Sequence, residues 1–237
     1  MGIILVFCPA PVRQSYTLQY QKRNFHNCEL RQLINSLLAM INAKFLPLII
    51  GLCMLSGCSN AQAVPSKKIL IVYLSRTNNT KAIAEMIQRK VGGKLLSLEL
   101  QKPYPENYKA TVQQVVDENS SGYLPPLKTT IDSIQNFDVV FVGLPTWDMQ
   151  MPPPMKSFLT HYDLKGKKVI PFNTNAGYGV GSGFQTVKEL CPYSKVPEGF
   201  SIKGGIEREG VLFIMKGQKA KEAEKEIITW LKKIKML

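Results

Sequence analysis

Apolar runs and helical periodicities alternate along the chain from residue 67 onward. Residues 69–74 are apolar throughout, which is typical of a strand buried on both faces of a parallel sheet. Ile83, Ile87 and Val91 then recur every four residues, which predicts an amphipathic helix. The polar residues 75–80 lie between the two. This segment is therefore predicted to run from a strand through a hydroxyl-rich loop into a helix.

The same alternation continues to the end of the chain. Ser97 and Glu99 make the second apolar segment more polar than the first, which predicts a more exposed strand. The further strands are predicted at residues 95–100, 138–144, 168–172 and 200–202, with 211–215 as a candidate continuation of the last, and the further helices at residues 108–118, 155–162, 184–190 and 220–234. Such alternation implies right-handed crossovers and a doubly wound α/β fold, with helices on both faces of a parallel sheet.

The loop after the first strand carries hydroxyl and amide side chains at nearly every position. Its residues are Ser75, Arg76, Thr77, Asn78, Asn79 and Thr80. Such a loop presents backbone N–H groups and hydroxyls at the positive end of a helix, where a phosphate group can bind. Helix capping by the same residue types is the alternative. Three hydroxyls on one turn directly after a buried strand favour the phosphate site.

Two further loops follow predicted strands and would meet the first loop at one edge of the sheet, because parallel strands end together. Trp147 in the second loop is either a stacking surface for a flat aromatic ring or a core residue. Glycines in the third loop allow close approach to the backbone, and Tyr178 offers a second stacking surface. The candidate binding residues are Pro145, Thr146, Trp147 and Asp148 in the second loop, and Asn173, Thr174, Asn175, Gly177, Tyr178 and Gly179 in the third.

Composition and charge exclude some classes of function. The formal net charge of +13 favours an acidic partner or an anionic membrane. The basic residues are scattered and accompany no recognition motif, so we expect no nucleic-acid binding. The five cysteines include no CxxC pair and no cluster with histidine, so we expect no metal site.

Residues 40–60 have the features of an export signal. Lys44 precedes the apolar run 45–55, which is too short to span a bilayer. Leu-Ser-Gly-Cys at residues 55–58 resembles the bacterial lipobox, in which cleavage before Cys58 leaves that cysteine lipidated. The alternative is a buried helix with an incidental cysteine, and the protein would then be cytoplasmic.

These features predict a domain organisation. We expect residues 1–39 to be a gene-model extension ahead of a start at Met40, and residues 40–57 to be the signal peptide. Residues 58–66 would form a tether, and residues 67–237 the folded domain. The protein would be an exported lipoprotein, anchored to a membrane of the cell envelope or periplasm through lipid on Cys58.

Three motifs together resemble the flavodoxin family. The first loop is similar to the family's Ser/Thr-x-Thr-Gly-x-Thr phosphate loop, with Asn78 in place of the glycine. Gly-Leu-Pro-Thr-Trp at residues 143–147, and Ile-Pro-Phe-Asn-Thr at residues 170–174 before a glycine-rich loop, resemble its other two binding loops. The resemblance covers residues 67–237. It implies five strands in the order 2-1-3-4-5 and one FMN, with its phosphate on the first loop and its ring between the other two.

A flavodoxin-like domain implies a carrier that passes single electrons through FMN. Two other functions stay open, because one fold serves many activities. One is an FMN-dependent reductase of quinones or nitro compounds that oxidises NAD(P)H, and the other is a lipoprotein binding module without flavin. We identify no acid–base pair near the loops and name no catalytic residue, which favours the carrier.

The second loop departs from the pattern of the family. Members of the family usually have a glycine there, whereas residues 146–150 contain none. A backbone conformation with positive φ would cost such residues about 1 kcal/mol or more.

Overall fold

The computed structural model describes residues 67–237, which form five strands and five helices in alternation. The predictions for residues 1–66, Cys58 included, lie outside this range. The strands are β1 (Ile69–Tyr73), β2 (Lys94–Ser97), β3 (Val139–Pro145), β4 (Lys168–Asn175) and β5 (Phe200–Lys203), and the helices are α1 (Asn79–Val91), α2 (Tyr108–Ser121), α3 (Pro153–His161), α4 (Gly183–Leu190) and α5 (Gly217–Lys233). Single 3₁₀ turns lie at Ile134–Asn136 and Glu207–Glu209.

The five strands pair in parallel in the order β2-β1-β3-β4-β5, which confirms the predicted doubly wound fold. The chain turns outward to β2 after β1 and then crosses back to β3. The carboxyl ends of β1 and β3 therefore lie at the point where the direction of winding reverses. Open α/β sheets bind ligands at such a point.

Two apolar cores cover the two faces of the sheet. One core packs α1 and α5 against residues such as Ile71, Phe141 and Phe172. The other packs α3 and α4 against alternate residues such as Val72 and Val142. β1, β3 and β4 are buried along nearly their whole length, whereas β2 is exposed or half-buried, as the polar residues near it predict.

Several boundaries differ from the predictions by up to three residues, and β4, for example, continues to Asn175 rather than residue 172. β2 ends at Ser97 rather than residue 100, and Leu100 makes only an isolated antiparallel bridge to Leu127. α2 continues to Ser121, where Gly122 takes a left-handed conformation with φ of 68° and ends the helix. The predicted continuation of the last strand at residues 211–215 is wrong.

The segment 204–215, which we call the post-β5 segment, pairs with a side chain instead of a strand. The Asn79 Nδ2 donates to the Leu212 carbonyl at 2.6 Å, and the Ile214 N–H donates to the Asn79 Oδ1 at 3.1 Å. One amide side chain thus satisfies backbone groups that a neighbouring strand would otherwise satisfy. The apolar pattern of residues 211–215 is similar to that of a strand, but its hydrogen bonds go elsewhere.

Within residues 67–237, we find no helix with the length and hydropathy needed to cross a bilayer.

Cys191 generates a prediction about pH. The residue is 5% exposed, and burial raises the pKa of its thiol from 9.0 to about 11. The folded chain therefore holds this proton at a pH where the unfolded chain has lost it, so stability falls as pH rises from about 9 to 11. We expect Cys191→Ala to lose less stability than the wild type over this range, with a difference of about 1–3 kcal/mol in urea unfolding.

The same burial predicts low reactivity. Iodoacetamide at pH 8 should label the peptide that carries Cys191 only after unfolding in urea, as followed by mass spectrometry. Rapid labelling of the native protein at this residue would contradict the burial.

Candidate functional site

A cavity of about 130 Å³ opens at the carboxyl ends of β1, β3 and β4, where the three predicted loops meet. The backbone brings the loops together: the Leu74 N–H donates to the Gly143 carbonyl, and the Thr146 N–H donates to the Thr174 carbonyl at 3.0 Å. The residues that line the cavity are Arg76, Thr77, Asn79, Thr80, Tyr108, Pro145, Thr146, Trp147, Thr174, Asn175, Ala176, Gly204, Gly205 and Glu207.

The first loop offers a row of free backbone donors. Asn78 has a φ of 62°, which is the left-handed conformation that glycine would supply and that asparagine adopts at low cost. Within residues 67–237, the N–H groups of residues 76–80 donate no hydrogen bond, and the Ala82 N–H begins the helical pattern by donating to the Asn78 carbonyl. These donors lie at the amino end of α1, so the loop fits an anion.

The hydroxyls of the first loop are engaged as acceptors. The Ser75 Oγ accepts from the Lys81 N–H at 3.2 Å, and the Thr77 Oγ1 accepts from the Asn79 Nδ2 at 2.9 Å. The Thr80 and Thr174 hydroxyls share one bond at 2.8 Å, to which only one of them contributes its hydrogen. Since a hydroxyl is both donor and acceptor, Ser75, Thr77 and one of the buried threonine pair keep an O–H for a ligand.

The second loop is a tight turn that rests on the third. Trp147 and Gln150 exchange two backbone hydrogen bonds, and Asp148 and Met149 between them have φ of 51° and 52°. Positive φ at both central positions defines a type I′ turn. The Met149 carbonyl accepts from the Ser182 N–H at 3.0 Å. A Cβ on Gly181 would lie 1.8 Å from that carbonyl oxygen, so only glycine permits this contact.

The side chains at this turn are held by Lys156 of α3. Its Nζ donates to the Asn119 Oδ1 at 2.8 Å and lies 3.4 Å from the Gln150 Oε1. The Asp148 carboxylate in turn accepts from Asn119 and Gln150. Burial lowers the pKa of Lys156, and the negative charge of Asp148 opposes that shift.

Trp147 is half-buried and is supported from the long loop after β2. The rings of Tyr104 and Trp147 pack edge to face, with their centroids 5.4 Å apart. The Tyr104 hydroxyl donates to the carboxylate of Glu118, which is 7% exposed and also accepts from Gln114 at 2.8 Å. Burial and this acceptor raise the pKa of Tyr104, so the phenol stays protonated and remains a donor. Trp147 therefore packs against the core and also lines the cavity, while its stacking on a flat aromatic ring stays a prediction.

The third loop begins on two asparagines that brace the backbone. Asn173 is fully buried, and its Nδ2 donates to the Leu144 carbonyl at 3.0 Å and to the Thr146 Oγ1 at 2.9 Å. The Asn175 Oδ1 accepts from the N–H groups of Gly177 at 2.9 Å and Gly179 at 3.2 Å. These bonds fix the loop as it leaves β4.

The predicted residues divide between neighbouring cavities. Asp148, Tyr178 and Gly179 line a second cavity of about 250 Å³, which shares Thr146 and Asn175 with the first. Ser75 lines a third, of about 520 Å³, on the side of Trp147 that faces Tyr104. Of the described residues that we predicted, three line none of these cavities: Asn78, Asn173 and Gly177.

Sequence reasoning missed the contribution of the post-β5 segment. Gly204, Gly205 and Glu207 line the first cavity, and Tyr108 enters it from α2. A Cβ on Gly205 would lie 2.1 Å from the Leu212 carbonyl oxygen, so the fold of this segment also depends on glycine. The Gly-Gly pair at residues 204–205 was a signal of close approach, but nothing in the sequence identified the first loop as the neighbour.

Fold and site together define a doubly wound α/β domain with a loop of free backbone donors at its switch point. The model of the flavodoxin family matches residues 68–216. A flavodoxin from Synechocystis is 26% identical over 122 residues, which are 50% of this chain and 58% of that protein.

Two crystal structures extend the comparison. A candidate flavoprotein from Bacteroides eggerthii is 28% identical with a TM-score of 0.57, and the match covers 71% of this chain and 98% of that one. A second, from Bacteroides uniformis, is 25% identical with a TM-score of 0.54, covering 62% and 96%. The chain belongs to the flavodoxin family.

The contact between Tyr104 and Glu118 generates a prediction. Tyr104→Phe removes the hydroxyl that donates to a buried carboxylate, so we expect a loss of about 1–3 kcal/mol in urea unfolding. Trp147 should also become more mobile, which lowers the anisotropy of tryptophan emission. Tyr193→Phe is the matched control, because Tyr193 is 74% exposed. Equal stabilities of the two variants would contradict the assigned contact.

Proposed function

We propose that the protein binds FMN at this site and carries electrons one at a time. The observation that carries the proposal is the first loop, where free N–H groups and unused hydroxyl hydrogens converge beside a cavity at the switch point. A phosphate monoester matches these donors, because its oxygens are acceptors only. Bound FMN would supply reversible one-electron chemistry. The residues of the chain bind it, orient it and control its exposure to water.

The phosphate would lie against residues 75–80, and the ring would extend into the neighbouring cavity between the second and third loops. Thr146 and Asn175 line both cavities, so a ligand can span them. Tyr178 is 65% exposed at the mouth, where its ring can cover a flat ligand. Trp147 forms the other wall of the first cavity, where the phosphate would bind.

The partner and the membrane anchor of the protein form a second part of the proposal. The basic character of residues 58–237, with 25 basic and 16 acidic residues, favours an acidic redox partner. Lipid on Cys58 would hold the domain at a membrane, with residues 58–66 as the tether. Several acyl chains on one residue suffice for stable anchoring.

FMN titration tests the cofactor, and Thr80 tests the phosphate assignment. Thr80→Val keeps the shape of the side chain and removes one hydroxyl. We expect FMN binding to weaken by about 1–3 kcal/mol, while riboflavin, which lacks the phosphate, binds as before. Absorbance and flavin fluorescence measure both affinities.

Thr229→Val is the control, because it makes the same chemical change at an exposed position on α5. A wild-type protein that binds no FMN would refute the proposed function. Steady-state oxidation of NAD(P)H by the purified protein alone would favour a reductase over a carrier. Equal losses for FMN and riboflavin in Thr80→Val would refute the phosphate assignment.

Cys58 tests the anchor. We expect Cys58→Ala to move the protein from the membrane fraction to the soluble fraction, or to leave it unprocessed, as followed by immunoblot of fractionated cells. Cys191→Ala is the matched control because that thiol is buried in the domain. A mature native protein with an intact amino terminus ahead of residue 58 would contradict the proposal.

A further inference from the structure

We propose that Arg76 is a positioning residue that ties three segments into the wall of the site, and that it does not bind the phosphate. The inference rests on the proposed function, because it divides the work of the first loop between its backbone and one of its side chains. Arg76 is the only cationic side chain within residues 75–80, so a phosphate site would make it the obvious ligand.

The guanidinium is already engaged on three sides by the protein. Its Nε donates to the Glu207 Oε1 at 2.6 Å, its Nη1 to the Pro105 carbonyl at 3.0 Å, and its Nη2 to the Glu106 carbonyl at 2.6 Å. These acceptors lie in the post-β5 segment and in the loop between β2 and α2. A single side chain therefore joins the first loop to two elements that are distant in sequence.

Both joined segments contribute to the cavities. Glu207 and Tyr108 both line the first and second cavities. Tyr108 is the first residue of α2 and follows Glu106 by two positions. The Thr111 hydroxyl donates to the same Pro105 carbonyl that Arg76 holds, at 2.7 Å. Release of Arg76 would remove the bonds that tie both segments to the first loop.

The post-β5 segment has few other attachments to the first loop. The Asn79 amide holds Leu212 and Ile214, and Arg76 holds Glu207. Outside the first loop, the Gly204 N–H donates to the Asn175 carbonyl at 2.8 Å where β5 ends, and the Arg208 guanidinium donates to the Tyr178 hydroxyl at 3.1 Å. The two side chains of the first loop therefore hold the segment against that loop, between the backbone bond at Gly204 and the buried side chain of Met215.

The geometry also makes Arg76 a poor point-charge ligand. Its three bonds are directed by a planar fork, and lysine cannot reproduce that fork, although lysine binds phosphate well as a point charge. Arg76→Lys therefore separates the two roles. An arginine that bound the phosphate as a point charge would tolerate the change, one that bound it through two N–H groups would lose affinity for FMN alone, and a positioning residue would lose affinity for both flavins.

The first experiment measures FMN and riboflavin affinity in the full chain, for the wild type, Arg76→Lys and Glu207→Ala. We expect each variant to weaken both flavins by the same factor, about tenfold, because the wall rather than the phosphate contact is lost. If Arg76 is a ligand, Glu207→Ala releases it and FMN alone binds more tightly. That result, a change confined to FMN in Arg76→Lys, or unchanged affinity for both flavins would each overturn the proposal.

Glu224→Ala is the matched control. Glu224 pairs with Lys90 at 2.6 Å, the same distance as Arg76 and Glu207, but this ion pair joins α1 to α5 and lines none of the cavities described. We expect its flavin affinities to equal those of the wild type. If Arg76→Lys does not fold, Glu207→Ala carries the test alone.

The second experiment needs no flavin. Hydrogen exchange by mass spectrometry should show faster exchange of residues 204–215 in Arg76→Lys and in Glu207→Ala, and wild-type exchange there in Glu224→Ala. Unchanged exchange in both variants would overturn the proposal. If the wild type binds neither flavin, the proposed function fails, and this measurement still decides whether Arg76 holds the segment.

Discussion

Burial of β1, β3 and β4 on both faces is the constraint on which the rest of the structure depends. Two cores, one under α1 and α5 and one under α3 and α4, require these strands to be apolar almost throughout. Their polar residues are therefore confined to the ends. Since the strands are parallel, the carboxyl ends lie side by side, and three loops that are distant in sequence become one site.

The same constraint explains what the sequence could predict. An unbroken apolar run identifies a strand covered on both faces, and a hydroxyl-rich turn directly after it lies at the binding edge. The first loop, with Ser75, Thr77 and Thr80, could be found in this way. The strand order followed from a resemblance in motifs, because alternation of strands and helices is compatible with several orders.

The post-β5 segment could not be predicted on the same basis. Its apolar residues 211–215 have the pattern of a strand, and pattern alone does not say which group accepts each backbone hydrogen bond. Here the partner is the Asn79 side chain, 133 residues from Leu212. The three bonds of Arg76 are equally invisible in sequence, because they join residues 29, 30 and 131 positions apart. Long-range side-chain contacts have no local signature.

At Asp148 and Met149, a glycine would have the opposite of its usual effect on the stability of the fold. Glycine generally destabilises, because it adds freedom to the unfolded chain. Both residues have positive φ in the structure, so each carries a backbone cost of about 1 kcal/mol. The chain therefore forgoes stability at the mouth of its site, and it gains the contacts of Asp148 with Asn119 and Gln150. Both residues are exposed and belong to neither core, so glycine at Met149 would relieve backbone cost at the rim of the cavities while the packing beneath the sheet stays as it is.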